Sequence, residues 1–259
     1  MLEWILRGLS QGRITTSYPR RAEHAPPGYR GPIEVLEQRS KAPSELAALC
    51  PTGAIAVDGA GRLSVDRGRC ILCGACVQAA PDRFAFASRY ETAARSRSVL
   101  IVPDGAEGEV EPPSRTLAEQ ARALGRSIHV RHIDCGSDGA EEWEIQALWN
   151  PYYDIQRLGF FLTAAPRHAD ILLVTGPVTR AMREPLERTW EVMPAPKALI
   201  AVGTDACSGG LSAPGALTAG GVDAVLAVDV YVPGSPPSPI AIMHALLLAT
   251  GRLPVEVAA

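Results

Sequence analysis

The fold of the longer, carboxyl-terminal part of this chain is decided by the stretch DILLVTGPVTRAM, residues 170–182. Its apolar run at 171–175 predicts a buried strand, and the residues that follow predict a helix over about 178–192. The same alternation continues on both sides of this stretch. Further strands are predicted at 127–133, 198–202 and 224–228, and a last helix at about 238–250.

Strands that alternate with helices indicate a parallel sheet whose two faces are both covered. In such sheets the chemistry lies in the loops beyond the carboxyl ends of the strands. We therefore expect the functional side chains in four loops, which follow Ile133, Thr175, Val202 and Val228.

The composition narrows the class of protein. A chain of 259 residues that is 47% hydrophobic can form two domains with packed cores. The net charge of −3 gives no support to nucleic acid as a partner. Glu3 and Arg7 interrupt any signal-peptide core, and no stretch reaches the roughly 18 apolar residues of a membrane-spanning helix. Six cysteines, four of them in metal-ligand spacing, indicate a reducing compartment, so we expect a cytoplasmic protein, soluble or peripheral.

Four cysteines in the first third of the chain have the spacing of an iron–sulfur ligand set. A C-x2-C-x2-C run is formed by Cys70, Cys73 and Cys76, and Cys50 stands upstream before a proline. In bacterial ferredoxins with two clusters each run is C-x2-C-x2-C-x3-C-P, and its fourth cysteine ligates the other cluster. Cys50 is then the fourth ligand of the cluster that the later run binds. The spacing predicts one [4Fe-4S] cluster on these four cysteines.

The ligands of the second ferredoxin cluster are missing as a complete set. By the same rule they would stand at Ser40, Pro43, Leu46 and Ala80, none of which is cysteine. We therefore predict that the second cluster is absent. Two alternatives stay open: a zinc site, which also accepts four thiolates, or a relic domain that binds no metal. The spacing of the run favours iron–sulfur over zinc.

The chain is predicted to fall into four segments. These are an N-terminal helix with a Pro-rich extended arm at 1–35, the cysteine module at 36–90, a linker at 91–122 and the α/β domain at 123–259. Within the cysteine module, residues 54–57 and 63–65 predict a hairpin.

The N-terminal helix is amphipathic. Its apolar residues recur at the spacing of one helical stripe, formed by Leu2, Ile5, Leu6 and Leu9. So short a helix docks on a partner protein, which we favour, or lies on a membrane surface.

The loops of the α/β domain resemble those of a known family. They contain, in order, TGPVTRAM (175–182), CSGG (207–210) and PGSPP (233–237). Residues 127–254 resemble the B-type small subunit shared by complex I, the NADH:quinone oxidoreductase, and the membrane-bound energy-converting [NiFe] hydrogenases, most closely the formate-hydrogenlyase branch. The N-terminal part, with GRITTSYP (12–19), is similar to the two-cluster ferredoxin subunit of the same complexes. The resemblance implies a fusion of an α+β ferredoxin-like module with an α/β flavodoxin-like parallel-sheet domain.

The resemblance also implies a terminal cluster site that this chain has lost. B-type subunits hold a [4Fe-4S] cluster, and oxygen side chains are poor substitutes for its thiolate ligands. Cys135 and Cys207 do not fall on the ligand positions, so we predict that the terminal cluster is absent. The positions that align with the family's four ligand cysteines are Asp138, Glu141, Asp205 and Ser235.

Three alternatives are open for this degenerate cluster site. In the one we favour, the carboxylates pair with nearby arginines, because buried charges need partners. In the second, the oxygen side chains bind a hard cation such as Mg²⁺ or Ca²⁺. In the third, a displaced cluster uses Cys135 and Cys207. The candidate arginines are Arg131, Arg167, Arg180 and Arg183.

The resemblance implies an iron–sulfur electron-transfer subunit of a membrane-associated complex, peripheral on the inner face of the cell membrane. Its implied partners are the large D-type subunit of the hydrogenase or complex I and membrane subunits of the proton-channel type. The alternative is a non-redox structural or regulatory subunit of a complex-I-like ion-translocating assembly, because two of three inherited clusters are missing. The sequence contains no nucleophile–base arrangement and no phosphate loop, so we do not expect catalysis by this chain alone.

Overall fold

The computed structural model describes residues 2–36, 44–103, 119, 127–212 and 214–253. The strands are β1 (Ile33–Val35), β2 (Ile55–Val57), β3 (Leu63–Asp66), β4 (Phe84–Phe86), β5 (Ile101–Val102), β6 (Ile128–Asp134), β7 (Phe160–Leu162), β8 (Ile171–Thr175), β9 (Ala198–Val202) and β10 (Val230–Val232). The α-helices are α1 (Leu2–Gln11), α2 (Ala75–Ala79), α3 (Ala140–Ala147), α4 (Arg180–Val192), α5 (Thr204–Ser208) and α6 (Pro239–Ala249). Short 3₁₀ helices cover Ser44–Leu49, Ser98–Leu100, Ile155–Leu158, Pro166–His168 and Val222–Ala224.

The last five strands form one sheet, in which all neighbours are parallel. Their spatial order is β7-β6-β8-β9-β10. Numbered from the start of the domain, this is the 2-1-3-4-5 order of flavodoxin-like proteins. The order reverses between β6 and β8, and at such a point the carboxyl ends of the strands border a crevice that binds ligands in this class of fold. The predicted parallel sheet is confirmed.

Both faces of the sheet are buried, as the apolar runs predict. In β8, Ile171 and Leu173 belong to one hydrophobic cluster, and Leu172 and Val174 to the other. This alternation is the period of two that a strand imposes on its side chains. The first cluster is covered by α6, whose sequence PIAIMHALLLA is apolar on nearly all sides because the helix is buried.

The predicted strand at 224–228 is wrong. The chain forms a short 3₁₀ helix at Val222–Ala224, and the edge strand is β10, six residues later than predicted at its start. A short apolar run signals burial, but its periodicity does not distinguish a strand from another buried segment. The fourth loop at the carboxyl edge therefore follows Val232. The apolar side chains of the misassigned run pack, partly buried, against the second cluster: Val225, Leu226 and Val228.

The N-terminal third forms two small antiparallel sheets. One pairs β1 with β4, and the other has the order β2-β3-β5. The predicted hairpin is confirmed as the β2–β3 pair. The described part of residues 91–122 contacts both regions of the chain: for example, β5 pairs with β3, and Ala94 forms a bridge with Tyr231 of β10. The segment boundaries given above stay predictions.

The apolar stripe of α1 is not covered by the described part of the chain. Trp4 is 68% exposed and Leu9 76% exposed, and Ile5 and Leu6 lie between them on the same helix. A helix with uncovered apolar side chains is suited to an interface. Among the described residues, no helix combines the length and the apolarity that crossing a bilayer requires.

Candidate functional site

The four cysteines of the predicted cluster site line one cavity of about 350 Å³. Cys50 follows the 3₁₀ helix Ser44–Leu49, Cys70 and Cys73 lie in the loop after β3, and Cys76 lies in α2. Gly74, with φ +81°, turns the chain between the last two cysteines, and a left-handed φ favours glycine. Two separate segments, one with Cys50 and one with the run 70–76, thus bring the thiols to the same cavity.

The walls of the cysteine cavity are otherwise apolar, with Ile33, Ile55 and Val65 among the lining residues. The Sγ of Cys50 accepts a hydrogen bond from the Ala54 amide at 3.2 Å. Burial raises the pKa of the Cys70 thiol to about 12. A metal that binds there must therefore displace a proton, as thiolate ligation always requires.

The residues present fit an iron–sulfur cluster. Cluster iron takes thiolate ligands, and four thiols around an apolar cavity supply four of them. Within the described ranges, no group of three or more His, Cys, Asp or Glu side chains is close enough to hold a single metal ion.

Two of the positions at which the sequence predicts a missing second cluster lie in apolar packing. Ala80 is 6% exposed and belongs to the hydrophobic core of the cysteine module. Leu46 packs against the same core. Ser40 and Pro43 lie outside the described residues. Two of the four lost ligand positions thus contribute to the core of the module.

The cysteine module is joined directly to the carboxyl edge of the large sheet. The hydroxyl of Thr204, at the start of α5, lies 2.9 Å from the Cys70 carbonyl oxygen and 3.1 Å from that of Gly234. Arg97 bonds both carboxylate oxygens of Asp66 in β3, at 2.6 and 2.8 Å, and its Nε donates to the carbonyl oxygen of Cys207 in α5 at 3.3 Å. Two-point arginine–carboxylate pairs are strong and directional, so they fix the relative position of the two parts.

The degenerate cluster site lies at this same edge. Asp138 and Glu141 follow β6, Asp205 lies in α5 after β9, and Ser235 follows β10. Asp138 and Ser235 are exposed, whereas Glu141 is 3% exposed. The Oδ1 of Asp138 accepts a hydrogen bond from the Ala140 amide at 3.0 Å, so this side chain supports the start of α3.

Glu141 occupies the space next to the backbone of β9. The carboxyl group packs on Gly203, where an added Cβ would lie 2.7 Å from Glu141 Cγ. Its Oε2 is buried and has no hydrogen-bond partner in the part of the chain that the structure describes. Burial, together with the nearby carboxylates of Asp205 and Asp138, raises the pKa of Glu141 to about 7, although a hydrogen bond from its own backbone amide opposes the rise. A carboxyl group in such a place holds a proton far more readily than an exposed one.

The expected pairing of these carboxylates with arginines is wrong. Across the described ranges, no arginine or lysine nitrogen lies within 4.0 Å of Asp138, Glu141 or Asp205. Arg183 pairs instead with Glu187, one turn further along α4, at 3.1 Å. Helix geometry explains this choice, because residues four apart lie on the same face.

A polar network borders the degenerate site. The Oε2 of Glu142 accepts a hydrogen bond from Ser137 at 2.7 Å, and its Oε1 accepts one from the Thr175 hydroxyl. His132 lies 3.0 Å from the same hydroxyl and 3.4 Å from Glu142. Burial lowers the pKa of His132. Glu142 and His132 are thus satisfied by each other and by hydroxyls.

The two spare cysteines lie in the core. Cys135 and Cys207 are fully buried in the second hydrophobic cluster, and burial raises the pKa of each thiol to about 12. The sequence did not predict Thr204, Arg97 or Glu142 as part of the site. Their roles come from contacts between segments distant in the chain, and no local motif signals such contacts.

Comparison with known proteins identifies the class to which this fold and site belong. Residues 138–249 match the family "NADH ubiquinone oxidoreductase, 20 Kd subunit", and residues 63–124 match the "4Fe-4S single cluster domain". The second match contains Cys70, Cys73 and Cys76, while Cys50 lies before it.

Individual relatives narrow the class. The chain is 41% identical over 139 residues to the probable membrane-bound hydrogenase subunit mbhJ of Pyrococcus furiosus, covering 54% of this chain and 83% of that protein. It is 43% identical over 136 residues to formate hydrogenlyase subunit 7 of Escherichia coli, covering 52% of this chain and about half, 53%, of that protein. The chain belongs to the family of the 20 kDa subunit of NADH ubiquinone oxidoreductase. A chain of the membrane-bound sulfane sulfur reductase, an archaeal respiratory membrane complex, matches with a TM-score of 0.44 and 27% identity over 52% of this chain and 77% of that chain.

Proposed function

We propose that this chain is an iron–sulfur electron-transfer subunit of a membrane-associated complex related to NADH:quinone oxidoreductase and the energy-converting hydrogenases. It carries one [4Fe-4S] cluster on Cys50, Cys70, Cys73 and Cys76, in a ferredoxin-like module. The observation that carries the proposal is the convergence of these four cysteines, from two segments of the chain, on one apolar cavity. The match to a 4Fe-4S domain over three of them supports it.

The chain's own residues set the environment of the bound group, whose chemistry is the storage and release of one electron. The apolar walls of the cysteine cavity surround the group on its inner side, and Cys73 is exposed to solvent on the outer side. Hydrogen bonds to the cysteine loop restrain it from outside: Thr204 reaches the Cys70 carbonyl at 2.9 Å, and Arg30 donates to the Cys73 carbonyl at 3.4 Å. Hydrogen bonding, charge and solvent exposure around a cluster set its reduction potential. This loop is therefore the part of the chain that tunes electron transfer.

We further propose that the terminal cluster of the family is absent. Glu141 packs on Gly203 in the place where the family has a thiolate, and Asp138, Asp205 and Ser235 supply only oxygen atoms. Iron–sulfur clusters require soft ligands. The donor set does not fit the group, and we derive no electron step through it.

The partners we propose are a large D-type subunit and membrane subunits of the proton-channel type, with the chain peripheral on the inner face of the membrane. Large exposed apolar side chains support binding to other subunits. At the carboxyl edge of the sheet and on α3 they are Trp143, Leu211 and Leu217, and on α1 they are Trp4, Ile5, Leu6 and Leu9.

A second function is favoured by the fate of the lost ligand positions. Leu46 and Ala80 pack as apolar residues, and the terminal site holds carboxylates. A chain that keeps its fold and interfaces while two cluster sites are filled is suited to a non-redox structural or regulatory role in an ion-translocating assembly.

The content of iron and acid-labile sulfide per chain, measured on anaerobically purified protein with EPR of the dithionite-reduced sample, tests these proposals. We expect about four irons per chain and an EPR signal that Cys73→Ser abolishes. Cys135→Ala, which removes a buried thiol outside the cavity, serves as the control and retains both. About eight irons would contradict the loss of the terminal cluster, and no iron would leave the non-redox role.

A further inference from the structure

Glu141 is a buried acid that the proposed electron transfer does not use. It is 3% exposed, and within the described ranges its Oε2 has no hydrogen-bond partner. Leaving a buried charge without a partner is costly, and a buried carboxyl group avoids that cost by binding a proton. The structure therefore presents a site for one proton at a defined atom.

The charged groups around Glu141 strengthen this preference. Asp205 faces it from α5, Asp138 from the loop after β6, and Glu142 from its own helix. All three are acidic, and Glu142 is engaged by His132 on its far side. Like charges at short range disfavour ionisation of the group between them. The surroundings of Glu141 thus favour the protonated form.

Glu141 also lies close to the cysteine cavity, separated from it by Gly203 and Thr204. Its carboxyl group packs on Gly203, and the next residue, Thr204, bonds the carbonyl of Cys70 at 2.9 Å. Thr204 is fully buried, so little water screens charges across this contact. A negative charge added on one side of Thr204 is therefore felt on the other.

We propose that Glu141 binds one proton when the cluster at the four cysteines accepts one electron, so that the degenerate cluster site is a redox-linked proton site. This inference rests on the proposed function, because it needs the cluster to be present. One electron comes from a one-electron donor, and one proton moves from solvent to the Glu141 carboxylate. No other bond forms or breaks.

Linkage makes the effect reciprocal: if reduction raises the affinity of Glu141 for a proton, protonation raises the affinity of the cluster for an electron. Burial and the neighbouring carboxylates raise the pKa of Glu141 to about 7, and in our proposal reduction of the cluster raises it further. Below that pH the acid is protonated in both redox states, and the midpoint potential is independent of pH. Above it, the potential falls as the pH rises, until the pKa of the reduced state is passed.

The test is an EPR-monitored redox titration of the full chain with its cluster, between about pH 6 and pH 9. We expect a midpoint potential that falls with pH above about 7 in the unchanged chain and is flat in Glu141→Gln. The matched control is Glu144→Gln, on the same helix. Burial also raises the pKa of Glu144. Glu144 is not the residue that packs on Gly203, so we expect the midpoint potential of Glu144→Gln to keep its dependence on pH. A flat potential in the unchanged chain, or a slope that survives Glu141→Gln, would overturn the inference.

Redox difference infrared spectroscopy gives a second readout that needs no variant to fold. A carboxylic acid C=O band should appear on reduction at neutral to slightly alkaline pH, and Glu141→Gln should remove it. Its absence from the unchanged chain also overturns the inference. Iron content separates the two proposals: a cluster with no proton uptake overturns this inference alone, and a chain without iron overturns both.

Discussion

The cysteine cavity and the degenerate cluster site are neighbours joined through Thr204, yet they differ in every property that iron–sulfur binding needs. The first has four thiols and apolar walls. The second has three carboxylates, one of them buried against Gly203. The comparison teaches that a family can keep the loops of a metal site while the side chains in them change the ligand from iron to, in our proposal, a proton.

The largest expected effect comes from restoring the lost ligands. If the degenerate site differs from a terminal cluster site only in its side chains, the variant Asp138→Cys/Glu141→Cys/Asp205→Cys/Ser235→Cys should bind a second [4Fe-4S] cluster. We expect iron to rise from about four to about eight per chain. The matched control places serine at the first three positions and should stay at about four. An unchanged iron content in the cysteine variant would mean that the loops, too, have lost the geometry.

The next effect is on stability and its dependence on pH. The pKa of Glu141 is raised from 4.5 to about 7 in the folded chain. The stability that this proton supplies is complete below about pH 4.5 and is lost as the pH rises to about 7, and it amounts to about 3 kcal/mol at most. The glutamine of the Glu141→Gln variant cannot ionise, so the variant does not lose this stability as the pH rises.

Thermal unfolding of the unchanged chain and of Glu141→Gln, at about pH 6 and about pH 8.5, measures this loss of stability. The quantity to compare is the difference between the two Tm values at each pH. Between these pH values the Tm of the unchanged chain should fall by several degrees relative to that of the variant. Over the full pH range in which the proton is lost, the fall should reach up to about 10 °C. Parallel shifts of the two proteins would show that the acid at this position ionises freely, like an exposed one.

The smallest effect tests the joint between the two regions. Arg97 and Asp66 form a largely buried two-point pair, so Arg97→Gln should cost about 1–3 kcal/mol in unfolding free energy. Arg62→Gln breaks an exposed ion pair with Asp58 and should cost less than about 1 kcal/mol. Equal effects of the two changes would argue against Arg97 as the joint between the cysteine module and the sheet.

The sequence predicted the parts of the fold whose signal is local. The runs at 171–175 and 198–202 are strands at those positions, and the hairpin and the last two long helices were found to within two residues. It failed at 224–228, where an apolar run packs without forming a strand, and it did not predict β7 or α3. The three residues of β7 and the Glu-rich α3 carry too weak a pattern.

For the candidate site, the sequence supplied the residues but not their contacts. It singled out four cysteines by spacing and four oxygen side chains by resemblance. The cysteines line one cavity, and the oxygen side chains lie in segments at the carboxyl edge of the large sheet. It proposed arginine partners for the carboxylates, and this was wrong because Arg183 has a closer partner on its own helix. Which charges pair depends on which segments meet, and that information is not local.

The sequence by itself determined the class of fold, the family and the likeness of the cysteine run to an iron–sulfur ligand set, because periodicity and ligand spacing are properties of short segments. Only the tertiary structure decided that Thr204 bonds the Cys70 loop, that Arg97 pairs with Asp66, and that Oε2 of Glu141 is buried with no hydrogen-bond partner among the described residues. The physical reason is that burial and electrostatic neighbourhood arise where distant segments pack together. A glutamate in the sequence is only an acid, and the environment of the fold sets when it carries a proton.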